Sequence, residues 1–384
     1  MPTPPRLLIL TAAFGEGHNS AARNLAQALA AEGADVQVCD PCSLASPILT
    51  ATLSRLYRFA TDYLPRVWGR IYHSIDRIDF KHSGTLLSRK PEAMLAKLIP
   101  DYQPTAIIST YPLYPYLLER ILGQAGVKVP VFTVVTDSME INSAWLKAPS
   151  DYWLVTDAAT RATMMGGQLP GAAIIDTGFP VNPEFARLTP LDAADPCVPF
   201  HVLFFPTGRR KSVASCGAAI LAADPAVRLT LVLGKNLRLL HAEASALHLA
   251  YPGRVRILGW TRRVPRLLTQ HHLVVGKAGG ATVHEAIAAH CPMLIHHLVP
   301  GQEEGNLRLL ETIGGGGLVA TPQLLTARLR AILSDQAAPW RAMKLALATH
   351  NRSCGALAAA RLILHKTQEM KTQDARVEDA RRKS

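Results

Sequence analysis

The stretch 274–306, VVGKAGGATVHEAIAAHCPMLIHHLVPGQEEGN, leaves few folds open to this chain. An apolar run at 273–275 predicts a strand ending in Gly276. Gly279 and Gly280 predict a turn, and helical spacing opens near Thr282. Thr282 and Glu285 have the S/T-x-x-E spacing of a capping box, in which hydroxyl and carboxylate satisfy orphan helix N–H groups. Glycines let backbone N–H groups approach a ligand, and a helix N-terminus favours negative charge, so this arrangement makes an anion site. A second strand is predicted over Met293–His297, with Gly301, Gln302, Glu303, Glu304, Gly305 and Asn306 in the loop after it. Open α/β sheets bind ligands at the C-terminal ends of their strands. Two neighbouring ends here carry a phosphate-compatible turn and a group of amides and carboxylates suited to sugar hydroxyls. The stretch reads as a nucleotide-sugar site.

The rest of the chain repeats the same alternation. Strands are predicted at 6–11, 36–39, 106–110, 131–136, 152–156 and 173–177. A second series follows at 202–205, 229–233, 255–258, 273–275, 293–297 and 318–320, with helical stretches between. Alternating strands and helices imply parallel sheets of the doubly wound α/β type. A length of 384 residues favours two domains, each large enough for its own core. The proline-bearing segment 189–200, with Pro190, Pro196 and Pro199, reads as the linker. The expected division is residues 1–188, the linker, 201–352, a helix at 353–366 returning to the first domain, and a tail at 367–384. That tail has charges of both signs and almost no apolar residues, and is expected to be disordered. Gly314 to Gly317 are expected to form a mobile turn.

In the first half, Gly15-x-Gly17-His18 follows the first strand and precedes a helix expected over 19–31. His18 is either a catalytic base or a histidine hydrogen-bonded near a helix start. Its ordinary pKa near 6.5 suits base work at neutral pH. Tyr111-Pro112-Leu113 follows the strand at 106–110. Asp137, at the end of the next, could orient His18, bind an acceptor hydroxyl or cap the following segment. Trp145 lies eight residues on. Trp260, beside Gly259, lines a base pocket or, more simply, packs the sheet edge.

Residues 48–81 have the most unusual composition. Leu49, Leu53, Leu56, Ala60 and Tyr63 share one helical face and Arg55, Arg58 and Asp62 another. After Pro65, Val67, Trp68, Ile71 and Ile75 fall together, with Arg66, Arg70 and Arg77 elsewhere. Two readings stand: amphipathic helices packed on the core, or a basic, aromatic-rich surface that meets anionic lipid.

A net charge of +12 implies an anionic partner. Nucleic acid is the weakest choice, because no RNP motif, helix-turn-helix signature or zinc-finger spacing occurs. The N-terminus lacks a signal peptide's order and no apolar run reaches spanning length, so a cytoplasmic location is expected. Cys39 and Cys42 form a lone C-x-x-C without a second pair, so reduced thiols and no metal are expected.

Gly279-Gly280-x-Thr282-x-x-Glu285-Ala286, with Pro300-Gly301-Gln302-Glu303-x-x-Asn306, resembles the donor-site signature of the monogalactosyldiacylglycerol synthase and processive diacylglycerol glucosyltransferase family. STYPL at 109–113 and TGFPV at 177–181 extend the resemblance. It implies a GT-B fold, with two Rossmann-like domains facing a central cleft, an inverting mechanism and a UDP-glucose or UDP-galactose donor. It implies diacylglycerol as acceptor, at the inner face of the membrane. Gly15, Gly17 and His18 match the family's glycine–histidine corner, which makes His18 the catalytic base. By the same resemblance Glu285 holds the ribose, Gln302 and Glu303 contact the donor sugar, and Asn306 positions their loop.

The chain departs from the family after the strand at 202–205. Relatives carry a glycine-rich diphosphate loop there, and this chain has Pro206-Thr207-Gly208-Arg209-Arg210-Lys211-Ser212. The three cations serve as a phosphate clamp, or else donor binding is altered. No D-x-D occurs, so the expected chemistry needs no metal or other cofactor, and the helix near Thr282 and Arg209 stabilise the leaving UDP. Other readings share the fold: transfer of N-acetylglucosamine to a lipid-linked peptidoglycan precursor, a hydrolysing UDP-sugar epimerase, or a non-catalytic lipid- or nucleotide-sugar-binding protein.

Overall fold

The computed structural model describes residues 3–75, 86–166, 169–195, 197–301 and 303–383. Gln302, Pro196, Arg77 and the end of the 48–81 segment lie outside the described residues, and the side chain of Ile75 is likewise not described. The chain forms two compact units. The first comprises residues 1–58, 73–183 and 354–384; the second comprises 59–72 and 184–353.

The elements run as follows in chain order. First come β1 (Arg6–Leu10), α1 (Glu16–Ala31), β2 (Asp35–Cys39), α2 (Pro41–Ala45), α3 (Pro47–Tyr63), α4 (Pro65–Ile75) and α5 (Leu86–Tyr102). Then come β3 (Ala106–Ser109), α6 (Tyr114–Ala125), β4 (Val131–Val134), α7 (Ser143–Leu146), β5 (Tyr152–Val155), α8 (Ala158–Met165) and β6 (Ile174–Asp176). The later part has β7 (Phe200–Phe204), α9 (Arg210–Leu221), β8 (Val227–Val232), α10 (Leu237–Ala250), β9 (Val255–Leu258) and α11 (Val264–Gln270). It continues with β10 (Leu273–Lys277), α12 (Gly280–Ala288), β11 (Met293–His297), α13 (Glu304–Ile313) and β12 (Gly316–Leu318). Helix α14 (Pro322–His350), broken by non-helical residues 334–337, and α15 (Gly355–Lys383) close the chain.

Among the described residues, all twelve strands are parallel to their neighbours, in two sheets ordered β2-β1-β3-β4-β5-β6 and β12-β11-β10-β7-β8-β9. Each sheet grows one way from its first strand and then starts again on the other side. This puts a topological switch point between β1 and β3, and another between β7 and β10. At such points the loops leaving adjacent strand ends diverge and open a crevice for ligand. The expected doubly wound architecture is present in both units.

Strands buried on both faces read as continuous apolar runs, and Leu7 to Leu10 and Leu273 to Val275 are wholly buried. In the first unit, Leu25 and Leu29 of α1 and Ala356, Ala359, Ala360 and Ile363 of α15 pack over β1, β3 and β4. In the second, Phe200, Val202, Leu229, Leu231, Trp340 and Leu329 share one core.

Several expectations are corrected. The tail expected to be disordered is helical through its described residues: α15 continues to Lys383, because its Ala, Gln, Glu, Lys and Arg residues are strong helix formers whatever their hydropathy. Gly314 to Gly317 are not simply a turn. Gly314 ends α13 at φ 80°, while Gly316 and Gly317 pair with β11 as part of β12. A Cβ on Gly316 would collide with the Met293 carbonyl, so glycine here serves close strand approach. Trp260 does not pack the sheet edge: it is 60% exposed, with the Arg262 guanidinium 5.5 Å from its ring centre.

A buried histidine makes the second unit acid-sensitive. His271 donates from Nδ1 to the Leu267 carbonyl at 2.6 Å and accepts at Nε2 from the Thr230 hydroxyl at 2.9 Å. Burial pushes its pKa down from 6.5 to about 4. Between these values the unfolded chain binds a proton that the folded chain does not, so stability falls as pH drops from 6.5 to about 4. For this residue the loss reaches about 3 kcal/mol. Urea midpoints measured at about pH 7 and pH 4.5 should differ accordingly, with a smaller difference in His271→Gln. Equal midpoints in the unsubstituted protein would contradict this assignment.

Candidate active site

In the first unit the candidate residues lie at the β1/β3 switch point. Gly15 is the N-cap of α1 at φ 97°, a conformation that favours glycine. It turns the chain so that α1 begins at Glu16, three residues before the position read from sequence. His18 therefore sits within the first turn of α1, beside the end of β3. Its Nδ1 is 2.7 Å from the Thr110 carbonyl and 3.0 Å from the Thr136 hydroxyl. A carbonyl only accepts, so Nδ1 carries the hydrogen and Nε2 keeps its lone pair. Thr110 is itself held by hydroxyl donation to the carbonyls of Leu10 and His18. Tyr111 meets the His18 ring edge-on at 5.2 Å between centroids, and the Trp145 ring lies 6.1 Å away.

Desolvation pushes the His18 pKa down to about 4, against the opposing pull of the Thr110 hydrogen bond. The positive end of α1 acts in the same direction. This corrects the expected value near 6.5: His18 is neutral throughout the physiological range.

Asp137 does not orient His18; Thr110 and Thr136 hold Nδ1 instead. The Asp137 carboxylate accepts from Trp145 Nε1 at 2.8 Å, and burial raises its pKa to about 6. It anchors the indole that flanks His18. Pro112 lies half-buried in the turn between β3 and α6. Gly17 has open space where a side chain would stand, leaving the approach beside His18 unfilled.

In the second unit the candidates gather at the ends of β7, β10 and β11, around the other switch point. Helix α12 starts at Gly280 with Gly279 as its extended N-cap and no side-chain cap. The capping box is thus corrected: Thr282 and Glu285 lie inside the helix, because Gly279 caps it three residues earlier. The Thr282 methyl packs 3.7 Å from where a Cβ on Gly276 would stand. Glu285 is half-buried in the next turn. The uncapped N–H groups at this helix start suit an anion.

Glu303 is not an exposed loop carboxylate. It is 5% exposed, pairs with Lys277 Nζ at 3.1 Å and accepts from the Val299 N–H at 3.0 Å. It ties the end of β10 to the loop after β11. Asn306 donates to the Ala278 carbonyl at 3.1 Å, while its buried Oδ1 has no partner. The Thr207 hydroxyl, after β7, is also buried and unpartnered. Unsatisfied buried polar atoms are uncommon, and these two flank the switch point. Arg209 is the exposed N-cap of α9, its guanidinium 5.4 Å from the Tyr63 ring centre. Arg210 instead bonds the Leu239 carbonyl at 3.1 Å and lies 3.8 Å from Glu243.

Sequence reasoning missed Lys277, Thr110 and Thr136 as site residues, and also that the corner between α3 and α4 belongs to the second unit. Thr110 lies within the STYPL run, but no role was read for it there; the signal for all three was their position at strand ends. Among the described residues, Asp195, Cys197 and His272 bring three possible metal-ligand atoms within 4.8 Å of one another. His272 accepts from the His201 N–H at Nδ1, so its Nε2 proton is the one shared with Asp195 at 2.8 Å. A metal at Nε2 would require an imidazolate. The trio is a hydrogen-bonded clamp at the opposite ends of the strands. The Cys39 thiol is buried and pushed up to about 11, so it stays protonated.

The fold defines the class. Over 94% of this chain and 100% of the other, the structure matches that of Acinetobacter baumannii MurG, with TM-score 0.61 and 16% identity. It also matches a UDP-GlcNAc 2-epimerase from Neisseria meningitidis over 95% of this chain and 100% of the other, with TM-score 0.59 and 12% identity. The protein has the GT-B fold. Residues 18–181 match the family model for monogalactosyldiacylglycerol (MGDG) synthase. A processive diacylglycerol beta-glucosyltransferase of Bacillus thuringiensis (strain Al Hakam) is 24% identical over 340 residues, 86% of each chain. Over these stretches the chain is similar to monogalactosyldiacylglycerol synthases and to processive diacylglycerol glucosyltransferases.

Proposed function

We propose that this protein is an inverting, metal-independent glycosyltransferase that moves glucose or galactose from its UDP form to diacylglycerol at an anionic membrane surface. The observation that carries this reading is the His18 tautomer: Nδ1–H is spent on Thr110, and the basic Nε2 is left over within the family-matched segment. The named activity of the curated relatives supports the acceptor and favours glucose.

In this reading the acceptor oxygen attacks the anomeric carbon from the side opposite the diphosphate. The carbon–oxygen bond to UDP breaks, its electron pair leaves with UDP, and the hydroxyl proton passes to His18 Nε2. An α-linked donor gives a β-glycoside. A weak base suffices because the attacking oxygen becomes strongly acidic as it bonds to carbon, and a pKa near 4 keeps His18 deprotonated beforehand. The departing charge falls to the N-terminus of α12 and to Arg209, in place of a carboxylate-held metal. The buried Asn306 Oδ1 and Thr207 hydroxyl gain partners from the donor.

The membrane contact is assigned to α3 and α4. The bland reading of these helices, an apolar face packed on the core, is inverted in the structure. Thr50, Ser54 and Thr61 are buried, while Ile48, Leu56, Phe59, Leu64 and Val67 are exposed beside Arg55 and Arg66. Among the described residues, no helix is long and apolar enough to cross a membrane. Surface docking fits this pattern. The test is to purify the lipid product made from diacylglycerol vesicles in EDTA and determine its anomeric configuration by proton NMR. A β-glycosyldiacylglycerol is expected; an α-product, or loss of activity in EDTA, would overturn the mechanism.

A further inference from the structure

Residues 136–139, in the segment that leaves β4, each reach a different partner. The Thr136 hydroxyl lies 3.0 Å from His18 Nδ1, and the Asp137 carboxylate accepts from Trp145 Nε1 at 2.8 Å. The Ser138 hydroxyl lies 3.1 Å from that of Thr156. Met139 donates its N–H to the Thr160 hydroxyl at 2.8 Å, and its carbonyl accepts from the Thr163 hydroxyl at 3.0 Å. Thr160 and Thr163 stand three apart on one face of α8, so this helix pins both backbone polar groups of Met139.

The residue so gripped is strained. Met139 has φ 55°, in the left-handed region, and the Glu140 N–H closes back onto the Ser138 carbonyl at 2.6 Å. An N–H two residues on, bonded back across a residue of positive φ, makes a γ-turn of the rare, strained kind. Such a conformation persists only where its surroundings impose it, and it is concentrated at functional sites. The buried Asp157 does the imposing. As N-cap of α8 it accepts from the Thr160 N–H at 2.8 Å. Its Oδ2 also accepts from the hydroxyls of Thr156 at 2.6 Å and Thr160 at 2.9 Å. A carboxylate only accepts, so the Thr160 proton goes to Asp157 and the Thr160 oxygen is left to receive the Met139 N–H. Capping α8 needs only the first of these bonds. The two hydroxyl bonds lead to the turn.

We infer that Asp157, Thr160 and Thr163 are positioning residues for the proposed transfer: through the strained turn at Met139 they hold Thr136 against His18 and Asp137 against Trp145. The inference rests on the proposed function and adds to it residues that touch neither donor nor acceptor. Without the brace the turn relaxes, and the shift passes to the residues just before it. His18 then keeps its Thr110 contact but loses a fixed Thr136, and the indole beside it loses its anchor. A displacement of about 1 Å slows a positioned reaction by up to about a hundredfold.

Two variants of the full chain separate this role from helix capping. Asp157→Ser keeps a residue that caps helices well but cannot take both hydroxyls. Thr160→Val keeps the capped N–H and removes the acceptor for Met139. Each is assayed for urea midpoint, UDP affinity by calorimetry and single-turnover transfer to diacylglycerol. Acrylamide quenching of the buried Trp145 is read as the difference made by Trp145→Phe in each protein. Both variants should slow transfer about ten- to a hundredfold, leave UDP affinity within about twofold, and raise the quenching of Trp145. Adding Met139→Gly to Thr160→Val should restore part of the rate, because glycine takes a positive φ without strain. A purely structural role predicts a parental rate in Asp157→Ser, or a loss that follows the urea midpoint with no rescue by glycine. Either result would overturn the inference. Raised quenching at an unchanged rate would overturn it too, and so would parental quenching in both variants, whatever their activity. A parent protein that transfers no sugar would sink the proposed function, and the quenching would still decide whether the brace exists.

Discussion

Replacing His18 with alanine is expected to lower kcat about 10²- to 10⁴-fold while leaving UDP affinity within about twofold of the parent. The reason is the division of labour seen in the first unit. Thr110 and Thr136 fix Nδ1, so the ring offers Nε2 alone as base. His18→Gln preserves a hydrogen bond to Thr110 but supplies no comparable base, so it should be nearly as inactive as alanine. Calorimetric UDP binding and single-turnover transfer separate the two effects. A His18→Ala protein with near-parental kcat would remove His18 from the chemistry and leave Asp137 as the group to examine.

The second large effect belongs to Glu303. Alanine at this position leaves Lys277 without its 3.1 Å partner and the Val299 N–H without its acceptor. Removing one member of a buried pair costs about 3–5 kcal/mol. The Lys277 side chain is 31% exposed, so water offsets part of this and about 2–3 kcal/mol is expected. The loop after β11 should then loosen, and UDP-sugar affinity should fall by more than about tenfold. Glu303→Gln keeps an acceptor for Val299 and should lose less. In the double variant Lys277→Met/Glu303→Met, stability should recover while donor affinity stays low, because both charges are gone together but the tie is not rebuilt. Urea denaturation and UDP-sugar calorimetry measure both. An alanine variant that unfolds with the parental midpoint would show that the pair contributes nothing to the loop.

Much of the fold was legible because strands buried on both faces write their burial into the chain. Leu7 to Leu10 or Met293 to Ile295 need no partner to be recognised as strands. Glycine punctuation was less reliable, since one residue type serves turns, caps and close approach. Gly279 proved to be the cap that Thr282 was expected to be, and Gly316 sits in a strand because a Cβ would meet the Met293 carbonyl. At the site, His18 and the 279–306 stretch stood out because their chemistry is local. Lys277, Thr110 and Thr136 did not, since their roles come from where neighbouring strands end in the sheet, which sequence spacing does not give. Helices α3 and α4 show the reverse problem. Their helical spacing was plain, but spacing gives the faces of a helix and not which face is covered. Here the small polar face is covered and the apolar one is exposed.

The measurement that bears most directly on the central claim is transfer of label from UDP-glucose and UDP-galactose, assayed side by side, to diacylglycerol in vesicles containing phosphatidylglycerol. One of the two sugars should appear in the lipid phase with stoichiometric release of UDP. The signal should persist in EDTA and vanish with His18→Ala. Binding of UDP with no labelled lipid from either sugar would contradict the account, and the Arg209 loop, where this chain departs from the pattern it otherwise resembles, would be the place where donor chemistry had been lost.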